Sequence, residues 1–298
     1  MCKKIFLTGA NGFVGKNLSA FFEGRYKINS YNRNQVVSIT ENIVIHLAGK
    51  AHDLKSVSDP SEYYTVNTEL TKKIFDAFLL SDSKVFITLS SVKAAADSLE
   101  SELTENYLPN PITHYGKSKL LAEHYILNKS IPQGKRVYIL RPCMIHGPGN
   151  KGNLNLLYKI VSKGFPWPLG TFENKRSFCS IDNLCFIINE LLNNETIPSG
   201  VYNVADDKPL ATNDLIKLIA KSQEKKYHIW NVPKSIIKLL SKMGDFLKLP
   251  LNSERLNKLT ETYIVSNNKI ITAIDKPLPL SAKEGLMKTL NSFNTNDK

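Results

Sequence analysis

Tyr115 and Lys119 lie in the stretch Tyr115-Gly116-Lys117-Ser118-Lys119, and a separation of four residues puts them on one face of a helix. A phenol with a pKa of about 10 is a poor proton donor or acceptor at neutral pH. A neighbouring ammonium and a cationic nicotinamide would both favour the phenolate and bring that value down. A shift of about three units corresponds to about 4 kcal/mol of differential stabilisation, which a closed site can supply. A second reactive group, Ser91, ends the run Leu89-Ser90-Ser91, from which a hydroxyl can hydrogen-bond a carbonyl or alcohol and aim it at the tyrosine. In Thr8-Gly9-Ala10-Asn11-Gly12-Phe13-Val14-Gly15, glycines at a spacing of three let the backbone approach a pyrophosphate. Each feature alone has a plain structural reading: a surface tyrosine beside a solvated lysine, a strand-end cap, a turn closed by glycines. The glycine set sits between an apolar strand and a helix, which favours nucleotide binding.

These groups need a scaffold that gathers strand ends. Apolar runs at 4–8, 26–31, 42–47, 83–89 and 136–141 predict strands, separated by helical patterns over 13–23, 61–80 and 113–128. Continuous apolar strands alternating with helices specify an α/β Rossmann-type doubly wound parallel sheet, with ligands at the C-terminal strand ends. After Pro142 the pattern changes to Gly- and Pro-rich loops at 147–153 and 164–170, then to amphipathic helices over 214–223 and 233–247. The expected division is a dinucleotide-binding domain over 1–150 and 176–205 and a smaller substrate-binding lobe over 151–175 and 206–298. The helix from Pro233 has a pattern compatible with a membrane surface. Its apolar positions Ile236, Ile237, Leu240, Met243 and Leu247 follow core spacing, so packing on the small lobe is the favoured expectation.

The 298-residue chain is 42% hydrophobic and 22% charged, unlike a disordered, collagen-like or coiled-coil sequence. No apolar stretch reaches the roughly 18 residues of a membrane span. Met1-Cys2-Lys3-Lys4 runs straight into a strand, leaving no room for a signal peptide, and a cytoplasmic location is expected. Cys2, Cys143, Cys179 and Cys185 match no zinc pattern; reduced thiols and no metal are expected. The formal net charge of +12 suits nucleic acid, an anionic surface or a phosphorylated ligand. Residues 221–298 hold 14 basic and 7 acidic side chains, but the lysines are scattered, with no aromatic-interleaved basic strand. A solvated basic lobe suited to an anionic ligand is favoured over nucleic-acid binding.

Taken together, the motifs resemble the extended short-chain dehydrogenase/reductase family, in its nucleotide-sugar epimerase, dehydratase and reductase branch. The resemblance runs through the glycine motif 9–15, His46-Leu47-Ala48-Gly49, Asn67, Ser90-Ser91, and Tyr115 with Lys119. It continues in Leu140-Arg141-Pro142, Gly147-Pro148-Gly149, Arg176-Ser177-Phe178, Ile181-Asp182-Asn183-Leu184 and Gly285-Leu286. It implies that Tyr115 is the catalytic acid/base, Lys119 its ribose-binding partner and Ser91 the hydroxyl that polarises substrate. It further implies a cofactor site of Gly9, Asn11, Gly12, Phe13, Val14, Gly15, Asn32, Arg33, Leu47, Ala48, Gly49, Asn67, Tyr115, Lys119 and Pro142. On the substrate side it implies Ser91, Lys93, Asn153 for the diphosphate and Arg176 for the nucleotide end, where a guanidinium fork binds phosphate oxygens bidentately.

The branch's 4,6-dehydratases resemble one another in an Asp-Glu pair directly after the strand-end hydroxyl, where this chain has Val92 and Lys93. Its 3,5-epimerase/reductases carry Ser-Ser-Cys there, and Val92 does not fit. Hydride chemistry at C4 remains. Leu89-Ser90-Ser91-Val92-Lys93 with the loop 147–153 resembles a subgroup that includes reductases of UDP-linked 4-keto-6-deoxy-N-acetylhexosamines used in bacterial surface polysaccharides, which implies such a reduction. The alternative is 4-epimerisation of a UDP-hexose or UDP-N-acetylhexosamine. A non-enzymatic NADP(H)-binding sensor or subunit is the third reading, and intact Ser91, Tyr115 and Lys119 argue against it. NAD-binding folds place a carboxylate about 20 residues after the first glycine. Here Asn32 stands there, Arg33 follows, and no carboxylate comes before Glu41. Arg33 suits a 2′-phosphate, so NADP is expected ahead of NAD and reduction ahead of epimerisation. The short segment 32–43 leaves no room for the strand that usually follows. Similar proteins often dimerise through a helix pair of the dinucleotide-binding part, and a homodimer is possible here.

Overall fold

The structure is a computed structural model that describes residues 3–32, 36–50, 59–150, 153–247 and 252–296. The first half alternates strand and helix: β1 (Lys4–Thr8), α1 (Phe13–Phe21), β2 (Lys27–Ser30), β3 (Ile43–His46), and then a broken helix. That helix comprises α2 (Ser61–Tyr63), a π-helical turn (Tyr64–Glu69) and α3 (Leu70–Leu80). Next come β4 (Val85–Leu89), a 3₁₀ turn (Val92–Ala94), α4 (His114–Leu127), β5 (Arg136–Pro142) and β6 (Met144–His146). The second half holds α5 (Asn153–Ser162), β7 (Phe178–Ser180), α6 (Ile181–Asn193), β8 (Gly200–Val204), α7 (Thr212–Ser222) and α8 (Lys234–Leu247). The chain closes with α9 (Ser253–Thr260), α10 (Asn268–Ile274) and α11 (Ala282–Asn296).

Six parallel strands form one sheet in the order β2-β1-β3-β4-β5-β8. This is the doubly wound architecture expected from the sequence. The chain leaves β1 for β2 on one side and then returns to add β3 on the other, so the topological switch lies between β1 and β3. The register aligns Thr8 with His46, His46 with Thr88 and Leu89 with Leu140. The glycine turn, the segment after β3, Ser90-Ser91 and Pro142 therefore emerge along one edge.

Both faces of the sheet are apolar because both are covered. On one side Leu18, Phe22, Leu184 and Ile188 from α1 and its C-terminal boundary and from α6 pack against Ile5, Leu7, Ile43, Ile45 and Ile87. On the other, Ile74, Phe75, Phe78 and Ile126 from α3 and α4 cover Phe6, Val44, Phe86 and Ile139. Tyr263, Val265, Ile270 and Ile274 join the first of these cores, so the late chain crosses back onto the sheet. Among the described residues no strand occurs between Ser30 and Ile43, which leaves β2 at the edge, as the short segment implied.

A second core gathers Leu154, Trp167, Ile216, Ile219, Leu286 and Leu290 from α5, α7, α11 and the intervening loop. Here α8 departs from expectation. Ile237 is buried, but Ile236, Leu240, Met243 and Leu247 are exposed. The helix seats itself through Ile237, Ser241 and Gly244, a narrow face of mostly small residues. Core spacing alone did not reveal that its wider apolar stripe points outward.

Candidate functional site

The switch point carries the first half of the site. Gly9 has φ +72°, and a Cβ there would lie 2.7 Å from the Ala48 nitrogen; only glycine permits this approach of β1's end to the segment after β3. Thr8 ties the two together: its hydroxyl accepts from the Ala48 N–H at 3.0 Å and meets His46 Nδ1 at 2.7 Å. Gly12 then opens α1 in extended geometry with no side-chain cap. The helix's first N–H groups are thus left for an incoming anion. Phe13 reaches toward Gly147, whose Cβ would lie 3.3 Å from the ring, so the Gly-Pro-Gly loop closes over this turn. Asn11 and Asn32 are exposed, while Gly15 and Pro142 are buried beneath. Arg33 lies outside the described residues.

After β2 the first carboxylate in the chain is Glu41, and it comes back against the strand itself. Glu41 accepts from the Asn29 side chain at 2.6 Å and from the Thr40 N–H at 2.9 Å. Its carbonyl and Asn42 anchor the N-terminal strand edge through Ser83 and Lys4, opposite the glycine turn.

The second half is built on α4 and β4. Thr113 caps α4 by accepting from Gly116 N–H at 3.1 Å, and Asp97 in turn accepts from the N–H groups of Ile112 and Thr113. A Cβ at Gly116 would lie 2.3 Å from the Lys93 carbonyl, so the residue after Tyr115 must be glycine for α4 to approach the Ser91 turn. That approach puts the Tyr115 and Ser91 hydroxyls in hydrogen-bond contact. Lys119, one turn further, donates from Nζ to the Leu89 carbonyl at 2.9 Å. A Cβ at Gly49 would be 3.0 Å from Lys119 Nζ and 3.1 Å from Asn67 Oδ1, so the lysine reaches the segment after β3. Ser91, Tyr115, Lys119, Gly49 and Asn67 are therefore neighbours.

Asn67 lies on the π-helical turn, a local widening often found at functional sites. Its amide accepts from Lys50 N–H at 2.8 Å and donates to Ser118 Oγ at 3.0 Å, while Thr68 donates to the Ser118 carbonyl. Tyr63 packs edge-on against Tyr115 with ring centroids 6.0 Å apart.

Burial governs the electrostatics. Desolvation pushes the Tyr115 phenol above its ordinary range, outweighing the Ser91 hydrogen bond that favours the phenolate. Lys119 is brought down to about 8 by burial, opposed by Glu123. His46 is brought down to about 3, mainly by burial, so it bridges Thr8 and Thr71 as a neutral ring.

Beneath Lys119 lies a polar layer that motif reading named only in part. Glu123 is one further turn along α4 and completely enclosed. It accepts from Arg141 Nε at 3.0 and 3.2 Å, from the Arg141 guanidinium terminus and from Ser90 Oγ. The signal was available in the sequence: a carboxylate four residues after Lys119 on the same face, and an arginine inside an apolar strand.

Of the residues expected to meet substrate, Lys93 donates to the Asp97 carbonyl at 2.5 Å and stands 4.2 Å over the Tyr263 ring. Tyr263 fixes the turn after Ser91 by donating to the Ala96 carbonyl at 2.7 Å. Arg176 donates to the Lys258 carbonyl at 2.6 Å and faces Glu261 at 3.7 Å. Lys93 and Arg176 repel each other electrostatically, and burial lowers both pKa values. Glu261 and Asp97 offset that repulsion at Lys93, so the two cations sit in half-buried surroundings of mixed charge. Asn153 begins α5, and its side chain lies outside the described atoms. Among the described residues no cluster of His, Cys, Asp or Glu is placed to hold a metal, and the described cysteines are buried free thiols.

A glycine-lined helix start and a Tyr-Lys pair beside Ser91 fit a nicotinamide dinucleotide. The NAD dependent epimerase/dehydratase family matches residues 5–205. The chain belongs to that family. It is 29% identical to a UDP-glucose 4-epimerase of Vibrio cholerae, covering 98% of this chain and 96% of that protein. A GDP-6-deoxy-D-mannose reductase of Pseudomonas aeruginosa is 26% identical over 74% of this chain and 80% of its own. The fold matches the structure of RMD from Pseudomonas aeruginosa complexed with NADPH, with a TM-score of 0.73 and 21% identity, covering 98% and 99% of the two chains. As a member of the NAD dependent epimerase/dehydratase family, the protein is an NAD(P)-dependent enzyme whose relatives are nucleotide-sugar epimerases and reductases. Among the described residues no helix is long and apolar enough to cross a membrane.

Proposed function

We propose that this enzyme reduces the C4 ketone of a nucleotide-linked hexose, with a UDP-4-keto-6-deoxy-N-acetylhexosamine as the substrate class and NADPH as the donor. The observation that carries the reading is the Tyr115–Ser91 pair: a phenol in hydrogen-bond contact with a strand-end hydroxyl, with Lys119 one helical turn away. A protonated phenol is the state that a ketone reduction requires at its start. The bound nicotinamide supplies the hydride to C4. Ser91 hydrogen-bonds the ketone oxygen, and Tyr115 gives that oxygen its proton as negative charge develops there. Lys119, held by the Leu89 carbonyl, stabilises the phenolate left behind. Gly9, Gly12, Phe13, Val14, Gly15, Leu47, Ala48, Gly49, Asn67 and Pro142 form the proposed cofactor cradle, with Lys93, Asn153 and Arg176 toward the sugar nucleotide.

The end of β2 supports NADPH over NADH. Asn32 presents no negative charge to a 2′-phosphate, and the Glu41 carboxylate is already engaged by the Asn29 side chain and the Thr40 N–H. The uridine base rests on the family subgroup that the motifs resemble. A homodimer through α3 and α4, with exposed Leu80, Leu121 and Leu127, belongs to the same proposal.

One second reading has specific support: the Vibrio cholerae relative, similar over nearly its whole length, is a 4-epimerase. For that reaction Tyr115 must first act as base. The test incubates the enzyme with UDP-GlcNAc, UDP-Glc or a UDP-4-keto-6-deoxy-GlcNAc, each with NADH or NADPH, while following nicotinamide absorbance and separating the sugars. Stoichiometric NADPH loss with the keto sugar alone is the expected result. C4 interconversion without net cofactor consumption would replace reduction with epimerisation.

A further inference from the structure

Helix α8 has its apolar faces in the wrong order for a helix that serves only a core. An amphipathic helix in a globular protein normally turns its apolar stripe inward. Here the inward face is Ile237, Ser241 and Gly244, while Ile236, Leu239, Leu240, Met243, Phe246 and Leu247 are all exposed. Their 3–4 residue spacing makes them one continuous stripe, and Leu239 and Phe246 are 60% and 87% exposed. Scattered exposed apolar residues are ordinary, but a contiguous stripe marks an interaction surface.

The charges beside the stripe choose the partner. Lys234, Lys238 and Lys242 recur at a spacing of four and form a basic row along one margin of the stripe. Residues 221–247 contain six lysines against two carboxylates. One of the two, Asp245, is occupied in accepting from the Ser253 N–H at 2.9 Å and from its hydroxyl. The chain entering α8 carries exposed Tyr227 and Trp230, amphipathic side chains suited to a water–lipid boundary. A second copy meeting this face symmetrically would set lysine row near lysine row with few acids between them. At 14 residues the helix is about 21 Å long, too short to span a bilayer core and long enough to lie along its surface.

We propose that α8 docks the enzyme on an anionic phospholipid surface. The apolar stripe enters the headgroup–acyl boundary, and Lys234, Lys238 and Lys242 engage lipid phosphates alongside it. The consequence is an enzyme that works at a membrane face, whatever sugar nucleotide it takes.

Flotation of the full-length protein with phosphatidylcholine–phosphatidylglycerol vesicles, against pure phosphatidylcholine vesicles, tests this. Binding to the anionic vesicles that weakens with salt is expected. The combined substitution Leu239→Ser, Met243→Ser, Phe246→Ser should weaken it by at least about tenfold. Replacing Lys234, Lys238 and Lys242 with Gln should cost about fivefold for each lysine and erase the anionic preference. Phe246→Ser alone provides a minimal variant should the triple apolar variant fold poorly, and unchanged melting and turnover in lipid-free buffer verify the fold. Absence of binding by the parent protein overturns the proposal, as does undiminished binding by well-folded variants. If the parent ignores vesicles and the Ser variants alone convert a dimer to a monomer, the face joins two copies of this chain instead.

Discussion

The two walls of the candidate site are built by opposite means. On the α4–β4 wall, Tyr115, Lys119 and Glu123 follow one another at four-residue steps, and burial sets the protonation of the first two. On the opposing wall, Lys93 and Arg176 are held by backbone carbonyls and a half-exposed carboxylate. The difference teaches where precision is needed. Under the proposed reduction a proton crosses at one oxygen, which calls for the dry and fixed first wall, and the proposed grip on a charged, many-atom ligand falls to the second, whose cations are less deeply enclosed.

The contrast is broken most severely at the proton donor. Tyr115→Phe removes the hydroxyl while keeping the ring against Tyr63, so turnover should fall by at least about a thousandfold. Cofactor affinity, read by fluorescence titration, should change little. Normal turnover in this variant would remove Tyr115 from the chemistry.

The layer beneath comes next. Glu123→Ala leaves the Arg141 guanidinium enclosed without its carboxylate, and breaking such a pair costs about 3–5 kcal/mol. Chemical denaturation should report a loss of that size. A loss below about 1 kcal/mol would show that water reaches this layer and that the wall is not dry.

The pH dependence probes the same wall through Lys119. Its folded pKa of about 8 lies below the usual 10.5, so the unfolded chain binds its proton more tightly. Between those values the unfolded state carries more protons, and stability from this group rises with pH. Below about 8 both states are protonated and the full burial cost is present. The shift corresponds to about 3 kcal/mol. Subtracting the stability profile of Lys119→Met from that of the parent should isolate this rise; identical slopes would mean that Lys119 is solvated.

On the second wall the expected effects are smaller and fall on binding. Arg176→Ala should raise KM for the sugar nucleotide by about ten- to a hundredfold with kcat nearly kept, the pattern of lost ground-state binding. Arg176→Lys restores charge without the fork and should recover only part of the affinity. Equal loss in kcat would mean that Arg176 acts on the chemistry and that the two walls are less distinct than their construction suggests.

The same asymmetry explains what the sequence made legible. The doubly wound sheet was readable because strands covered on both faces are continuous apolar runs, and Ser91, Tyr115 and Lys119 were readable because strand-end and helix-face geometry is local. The neutral role of His46 and the protonation of Tyr115 depend on burial by residues distant in sequence, such as Tyr63 and Thr71. Strand β8 and the β6–β7 ladder were not resolved from pattern, for their runs are short and bordered by glycine or serine. On α8 the spacing identified an amphipathic helix, but periodicity carries no information about which way the stripe faces.

The smallest effect serves as the calibration for the largest electrostatic one. Lys258 and Glu254 pair at 2.6 Å on α9, a separation ordinary for a strong ion pair, yet their side chains are 50% and 71% exposed. Water already solvates both charges, and ordering two long side chains offsets the attraction. Glu254→Ala should therefore change stability by at most about 0.5 kcal/mol, an effect that added salt reduces further. The backbone carbonyl of Lys258 still accepts from Arg176, so substrate affinity should hold as well. A loss comparable to that of Glu123→Ala would show that ion pairs on the two sides are equally costly to break, and the division between a dry wall and a wet one would fail.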